Sequence, residues 1–170
     1  MSKPSLVSVL AEDSLHQAFV RRFLLRCGFL NHQIRLGDLP GSRGCGEQWV
    51  RERYIKEVAA YRGRASRANT ALVVIIDADR GEISHRSRQL ESLGARLEGE
   101  RIVHLIPRRS IETWILCLNN VIVDEETDYS HRPGSMNKLP APPQSFSIGP
   151  VRTPQLANTA YRHYTQRYQR

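Results

Sequence analysis

The sequence predicts an α/β sandwich: a mostly parallel central sheet of about four strands flanked by helices, followed by a proline-rich C-terminal extension. Three observations predict it. The stretch ALVVIIDADRG at 71–81 runs six apolar residues into two acids, and a strand without a polar face is buried on both sides, as in the middle of a parallel sheet. Around it, runs of strand character alternate with segments of helical period, an order that suits right-handed crossovers. Past Val123 the periodicity stops: an acidic DEETD is followed by five prolines between Pro133 and Pro150. The expected division is therefore 1–122 for the α/β domain and 123–170 for the extension.

The elements follow in order. SLVSVLA at 5–11 reads as a strand and meets Glu12-Asp13-Ser14, residues that suit the start of a helix. Leu15, Phe19, Phe23 and Cys27 then recur at fourfold spacing, with arginines at 21, 22 and 26 on other faces and Gly28 as the stop. HQIRLG at 32–37 fits a short second strand, and DLPGSRGCG after it is loop. Val50, Tyr54, Val58 and Tyr61 place a helix over 47–62, ahead of the central strand at 71–76. Ile83, Leu90 and Leu93 mark a third helix, RIVHLI at 101–106 a fourth strand ended by Pro107, and Ile111, Ile115 and Leu118 a fourth helix. The last segment, from Thr153-Pro154, reads as a short helix carrying Tyr161, Tyr164 and Tyr168 among arginines.

The chain carries 25 Lys and Arg against 17 Asp and Glu, a formal net charge of +8, and Lys3, Lys56 and Lys138 are its only lysines. An arginine excess favours planar, bidentate contact with phosphate, so nucleic acid is the expected partner. Three cysteines without CxxC spacing, Cys27, Cys45 and Cys117, suggest neither a disulfide framework nor a zinc site, and a reducing cytoplasm is the expected location. The N-terminal apolar run is too short for a signal segment, and no stretch reaches the length of a membrane helix. The six histidines form no HxxxH or HxH pattern, and His85 reads as a solvated helix residue. No G-x-S-x-G or GxGxxG stands in the chain, so nucleophilic hydrolase and dinucleotide chemistry lack residues to carry them.

Function is expected at the acids. In an open α/β sheet ligands gather beyond the carboxyl ends of the strands. Glu12 leaves the first strand there and Asp77 and Asp79 the third, so neighbouring strands would bring three carboxylates together. Asp77 and Asp79 repel each other and call for a cation; oxygen ligands of this kind suit Mg²⁺ or Mn²⁺. The competing readings are that Glu12 or Asp13 caps a helix and that Asp77 and Asp79 form a strand-exit turn ahead of Gly81. Phosphate contacts are expected from Arg43, Arg51, Arg53, Arg62 and Arg64, with glycines at 41, 44 and 46 allowing close backbone approach, and from Arg80, Arg108 and Arg109 beside the acids.

Glu12 after VSVLA, and VVIIDADRG at 73–81, resemble the two signatures of the Toprim domain, the metal-binding α/β module of topoisomerases, primases, small repair nucleases and OLD-family nucleases. That pattern is a glutamate after the first strand and Asp-x-Asp after a later central strand, and here it spans about residues 5–120. IPRRSIETWIL at 106–116 is similar to a Pro-x-x-x-Ile/Phe-Glu-x-Trp segment of small stand-alone Toprim-like proteins related to OLD nucleases, often found beside ABC-type ATPases in phage-defence modules. The resemblance implies a Toprim-like, Rossmann-like sheet, Glu112 as a fourth catalytic acid beside Glu12, Asp77 and Asp79, and Trp114 as a packing residue. It also implies a Mg²⁺- or Mn²⁺-dependent nuclease of DNA or RNA, the effector subunit of a complex with an ABC-type ATPase, and it leaves room for a homo-oligomer. The rival is a non-catalytic Toprim-shaped scaffold or nucleic-acid-binding subunit. A D-x-D phosphatase expects Thr or Val where Arg80-Gly81 stands. A topoisomerase needs a gate that 170 residues do not contain.

Overall fold

The computed structural model describes residues 2–41, 45–79, 81–119 and 121–129. The expected C-terminal helix, nearly all of the proline-rich extension, Arg43 and Arg80 lie outside them. The elements are β1 (Leu6–Ala11), α1 (Ser14–Arg26), a 3₁₀ turn (Asn31–Gln33), β2 (Ile34–Leu36), α2 (Gly46–Ala65), β3 (Thr70–Ile75), α3 (Ile83–Leu93), β4 (Ile102–Leu105) and α4 (Ile111–Leu118). The expected alternation is present throughout. The strands at 5–11, 71–76 and 101–106 shift by one residue at their ends, and two elements differ more: the second strand shrinks to three residues because the 3₁₀ turn takes its start, and α2 runs past Arg62, since Gly63 weakens a helix interior without ending it.

The sheet has the order β2-β1-β3-β4, and every pairing is parallel. β1 and β3 are the inner strands, paired from Leu6↔Thr70 to Ala11↔Ile75, and all six residues of β3 are buried. Successive side chains of a strand point to opposite faces, and the core divides accordingly. Leu10, Leu72, Val74 and Ile76 pack with Val50, Tyr54, Val58 and Tyr61 of α2 and Leu90 of α3. Val7, Val9, Val73 and Ile75 pack with Val20 and Leu24 of α1 and Ile111 and Ile115 of α4. Trp114 lies against Phe19, ring centroids 6.0 Å apart, as a packing residue. Among the described residues no helix is long and apolar enough to cross a membrane.

This order puts the crossover reversal between β1 and β3. From β1 the chain moves outward to β2 through α1, then crosses back to β3 through α2, so the two connections leave a crevice at the carboxyl ends of the inner strands, where ligands of open α/β sheets bind.

Candidate metal centre

Glu12 and Asp77 meet in that crevice. Each stands just beyond the paired strand ends, and the backbone N–H of Asp77 donates to Glu12 Oε2 at 3.2 Å. Glu12 lies against the start of α2, where Gly46 comes so close that a Cβ added to it would overlap Glu12. Gly46 was expected to admit a phosphate; its missing side chain instead admits Glu12. Burial, with Asp77 and Asp79 adding negative charge, outweighs the hydrogen bond from Asp77 and raises the Glu12 pKa to about 7.

Asp77 turns to the other face, toward α1. Asp13, the N-cap of α1, accepts from the backbone N–H groups of Leu15 and His16 on its Oδ1, and that same oxygen faces His16 Nδ1 at 2.8 Å. The opposite ring nitrogen, Nε2, stands 3.0 Å from Asp77 Oδ1. Burial works against a charged imidazole, but the two carboxylates outweigh it and raise the His16 pKa to about 10. Burial pushes Asp77 up, as do the charges of Glu112 and Asp79, while His16 pulls it down. Glu112, buried in the first turn of α4, is thus an electrostatic neighbour of Asp77. Arg108, four residues before Glu112, instead faces Glu126 at 2.6 Å and Glu82 at 3.8 Å.

Asp79 departs from the expected arrangement. Its φ of +55° lies in the left-handed region that aspartate tolerates better than most residues, and its carboxylate turns to Arg86, 3.3 Å from one terminal nitrogen. Arg86 also donates from Nε to the Asp77 carbonyl at 3.1 Å, and it pairs with Glu47 in the first turn of α2. The repulsion between Asp77 and Asp79 is therefore answered by two cations of the chain itself, His16 on one acid and Arg86 on the other. The Asp77–Asp79 segment is held further by Ala78 N–H on the Pro107 carbonyl at 2.8 Å.

The arginines divide. Arg109 reaches the Asp79 carbonyl at 3.3 Å and Glu126 at 3.2 Å, so it and Arg108 stand at the acidic end. Arg51 pairs with Glu47 at 3.6 Å, and Arg53 pairs with Asp38 at 2.9 Å and lies over Trp49. Arg62 and Arg64 are elsewhere: they occupy the last turn of α2, which has run back to where the strands begin. There Tyr61 accepts from the Arg101 N–H, Arg62 bonds Glu100, and Arg64 bonds Ser8. The structure does not bring these two to the acids. His85 is exposed as expected, and it lines a cleft of about 230 Å³ with Asp79, Arg86 and Glu47.

The ligand atoms of Glu12, His16 and Asp77 lie within 4.8 Å of one another, so these three can hold a metal ion. The fit is chemical as well as geometric, because a cation would favour the ionised form of Glu12 against the burial, and the charges of Asp77 and Asp79, that raise its pKa. The donor set does not select one metal. An imidazole ligand must be neutral and free of Asp77, whereas the carboxylates without it suit a hard ion. Neither His16 nor Arg86 was legible as a site residue: the only local signal for His16 is Asp13 three residues earlier, and Arg86 looks like one more charge on a polar helix. No family profile, curated protein or solved structure matches the chain.

Proposed function

We propose that this chain is a Toprim-like, metal-dependent nuclease that hydrolyses phosphodiester bonds of DNA or RNA, with Mg²⁺ or Mn²⁺ held by Glu12 and Asp77. The observation that carries the reading is the meeting of buried Asp77 and half-buried Glu12 at the crossover crevice, from the strands that the Toprim resemblance designates. When bound, the ion supplies Lewis-acid polarisation of a phosphate oxygen. The chain's own residues do the rest. His16, held by Asp13, fixes the Asp77 carboxylate from behind; Glu12 releases its proton as it takes the ion; Arg108 and Arg109 lend positive charge at the rim. The arginine excess supports a polyanionic substrate. The resemblance of 106–116 supports a role as effector of an ATPase-associated defence complex.

The test is cleavage of mixed DNA and RNA substrates with Mg²⁺, Mn²⁺ or EDTA, comparing the native chain with Asp77→Asn. The expected result is cleavage that needs metal and vanishes in the variant. Equal silence of both proteins, with no metal bound to either, would overturn the reading in favour of a non-catalytic binding subunit.

A further inference from the structure

Arg86 is the one buried arginine among the described residues, at 9% exposure. A guanidinium carries five N–H groups. Nε is given to the Asp77 carbonyl, Nη1 to Glu47 and Gln89, and Nη2 to Asp79 alone. Four donors are thereby engaged, and the fifth, on Nη2, has no partner among the described residues. The Nη2 bond to Asp79 is also the longest of the four, at 3.3 Å. Its acceptor is the more exposed of the two carboxylates that Arg86 pairs with: the side chain of Asp79 is 57% exposed and that of Glu47 39%. Both residues line the cleft of about 230 Å³ that opens beside the acids.

We propose that Arg86 is a phosphate-binding residue: a phosphodiester anion entering the cleft takes the Nη2 donors from Asp79, and Asp79 turns to the ion held by Glu12 and Asp77. The inference rests on the metal-dependent reading above. Charge stays paired throughout the exchange, since the arginine passes from carboxylate to phosphate while the carboxylate passes from arginine to metal. Arg86 remains anchored meanwhile by Glu47, Gln89 and the Asp77 carbonyl. The ligand class is an oxyanion matched to the terminal edge of a guanidinium, which binds phosphate and carboxylate alike. Metal and phosphate must then favour each other, because each removes the partner with which the other competes, and such coupling is reciprocal.

The experiment is calorimetric titration of the full chain with Mn²⁺, with and without saturating dimethyl phosphate, a single phosphodiester anion that chelates free metal poorly. In the native chain dimethyl phosphate should tighten Mn²⁺ binding about fivefold or more. In Arg86→Gln the tightening should vanish, with Mn²⁺ alone bound at least as well as by the native chain. In Asp79→Asn, an exposed change that spares the core, it should vanish too. Coupling that persists in Asp79→Asn, or native Mn²⁺ binding indifferent to dimethyl phosphate, would overturn the exchange while leaving the metal centre intact. No Mn²⁺ binding by the native chain would instead overturn the metal reading, and the exchange with it.

Discussion

Gly46→Ala should destabilise the protein, although alanine is the better helix former. Gly46 opens α2, and a Cβ there would stand 2.8 Å from the Glu12 carbonyl oxygen and 3.2 Å from Glu12 Oε1, with Glu12 Cγ closer still. Rotating the glutamate clears its side chain but not its backbone oxygen, so β1's exit or the helix must move. Overpacking of this kind costs ~1–3 kcal/mol, set against a helix-propensity gain of up to ~1 kcal/mol. At about 2–4 °C per kcal/mol for a chain of this size, a net loss of ~1–2 kcal/mol lowers Tm by roughly 2–8 °C. The control is Gly63→Ala in the same helix, where an added Cβ meets nothing within 4 Å; it should stabilise by ~0.4–1 kcal/mol through the unfolded state. Calorimetric melting of both variants, with Mn²⁺ titration, separates the effects: Gly46→Ala also weakens metal binding by displacing Glu12, and Gly63→Ala does not. If both substitutions raised Tm alike, the tight apposition of α2 and Glu12 would be refuted.

Asp77→Asn should reduce Mn²⁺ affinity at least tenfold without unfolding the chain, checked by titration alongside far-UV circular dichroism. Because Glu12 holds its proton up to about pH 7, Mn²⁺ affinity should rise about tenfold per pH unit below that point and level off above it; a flat profile between pH 5 and 8 (measured at about unit steps) would exclude Glu12 as a ligand. His104 is expected to make the fold acid-sensitive. Burial, aided by Arg96, pushes its pKa from 6.5 down to about 4, so its contribution is complete above 6.5 and is lost as pH falls toward 4, by roughly 3 kcal/mol. Glu12 acts with the opposite sign over part of that range, so the quantity to measure is the difference in urea-unfolding stability between the native chain and His104→Gln. Finally, Arg62→Gln and Arg64→Gln should leave KM for a short oligonucleotide unchanged, while Arg108→Gln raises it.

The fold was readable because its signals are local and redundant. Six consecutive apolar residues in β3 announce two covered faces, and Gly28 and Pro107 mark element ends without reference to distant residues. The site was readable only where its residues stand at strand exits, as Glu12 and Asp77 do. His16 meets Asp77 across 61 positions of sequence, a distance at which no spacing rule operates. Arg86 is buried only because Glu47 and the Asp77–Asp79 turn close over it. Asp79 shows the limit from the other side. Its spacing from Asp77 suggested a shared cation, but Arg86, seven residues on, takes its carboxylate. Arg62 and Arg64 share a helix with Arg51, yet the length of that helix carries them to the far end of the sheet.

The pleat of the inner strands also makes the centre a matter of parity. Glu12 falls on an even position and is met by α2; Asp77 falls on an odd one and is met by α1. Removing one residue from β3 could preserve its hydrogen-bond ladder and its apolar character, because all six of its residues are apolar or covered, yet it would hand the aspartate to the wrong layer. Volume-conserving apolar substitutions within β3 leave the aspartate in its layer, and single-residue deletions do not: the face on which Asp77 stands depends on the strand's residue count.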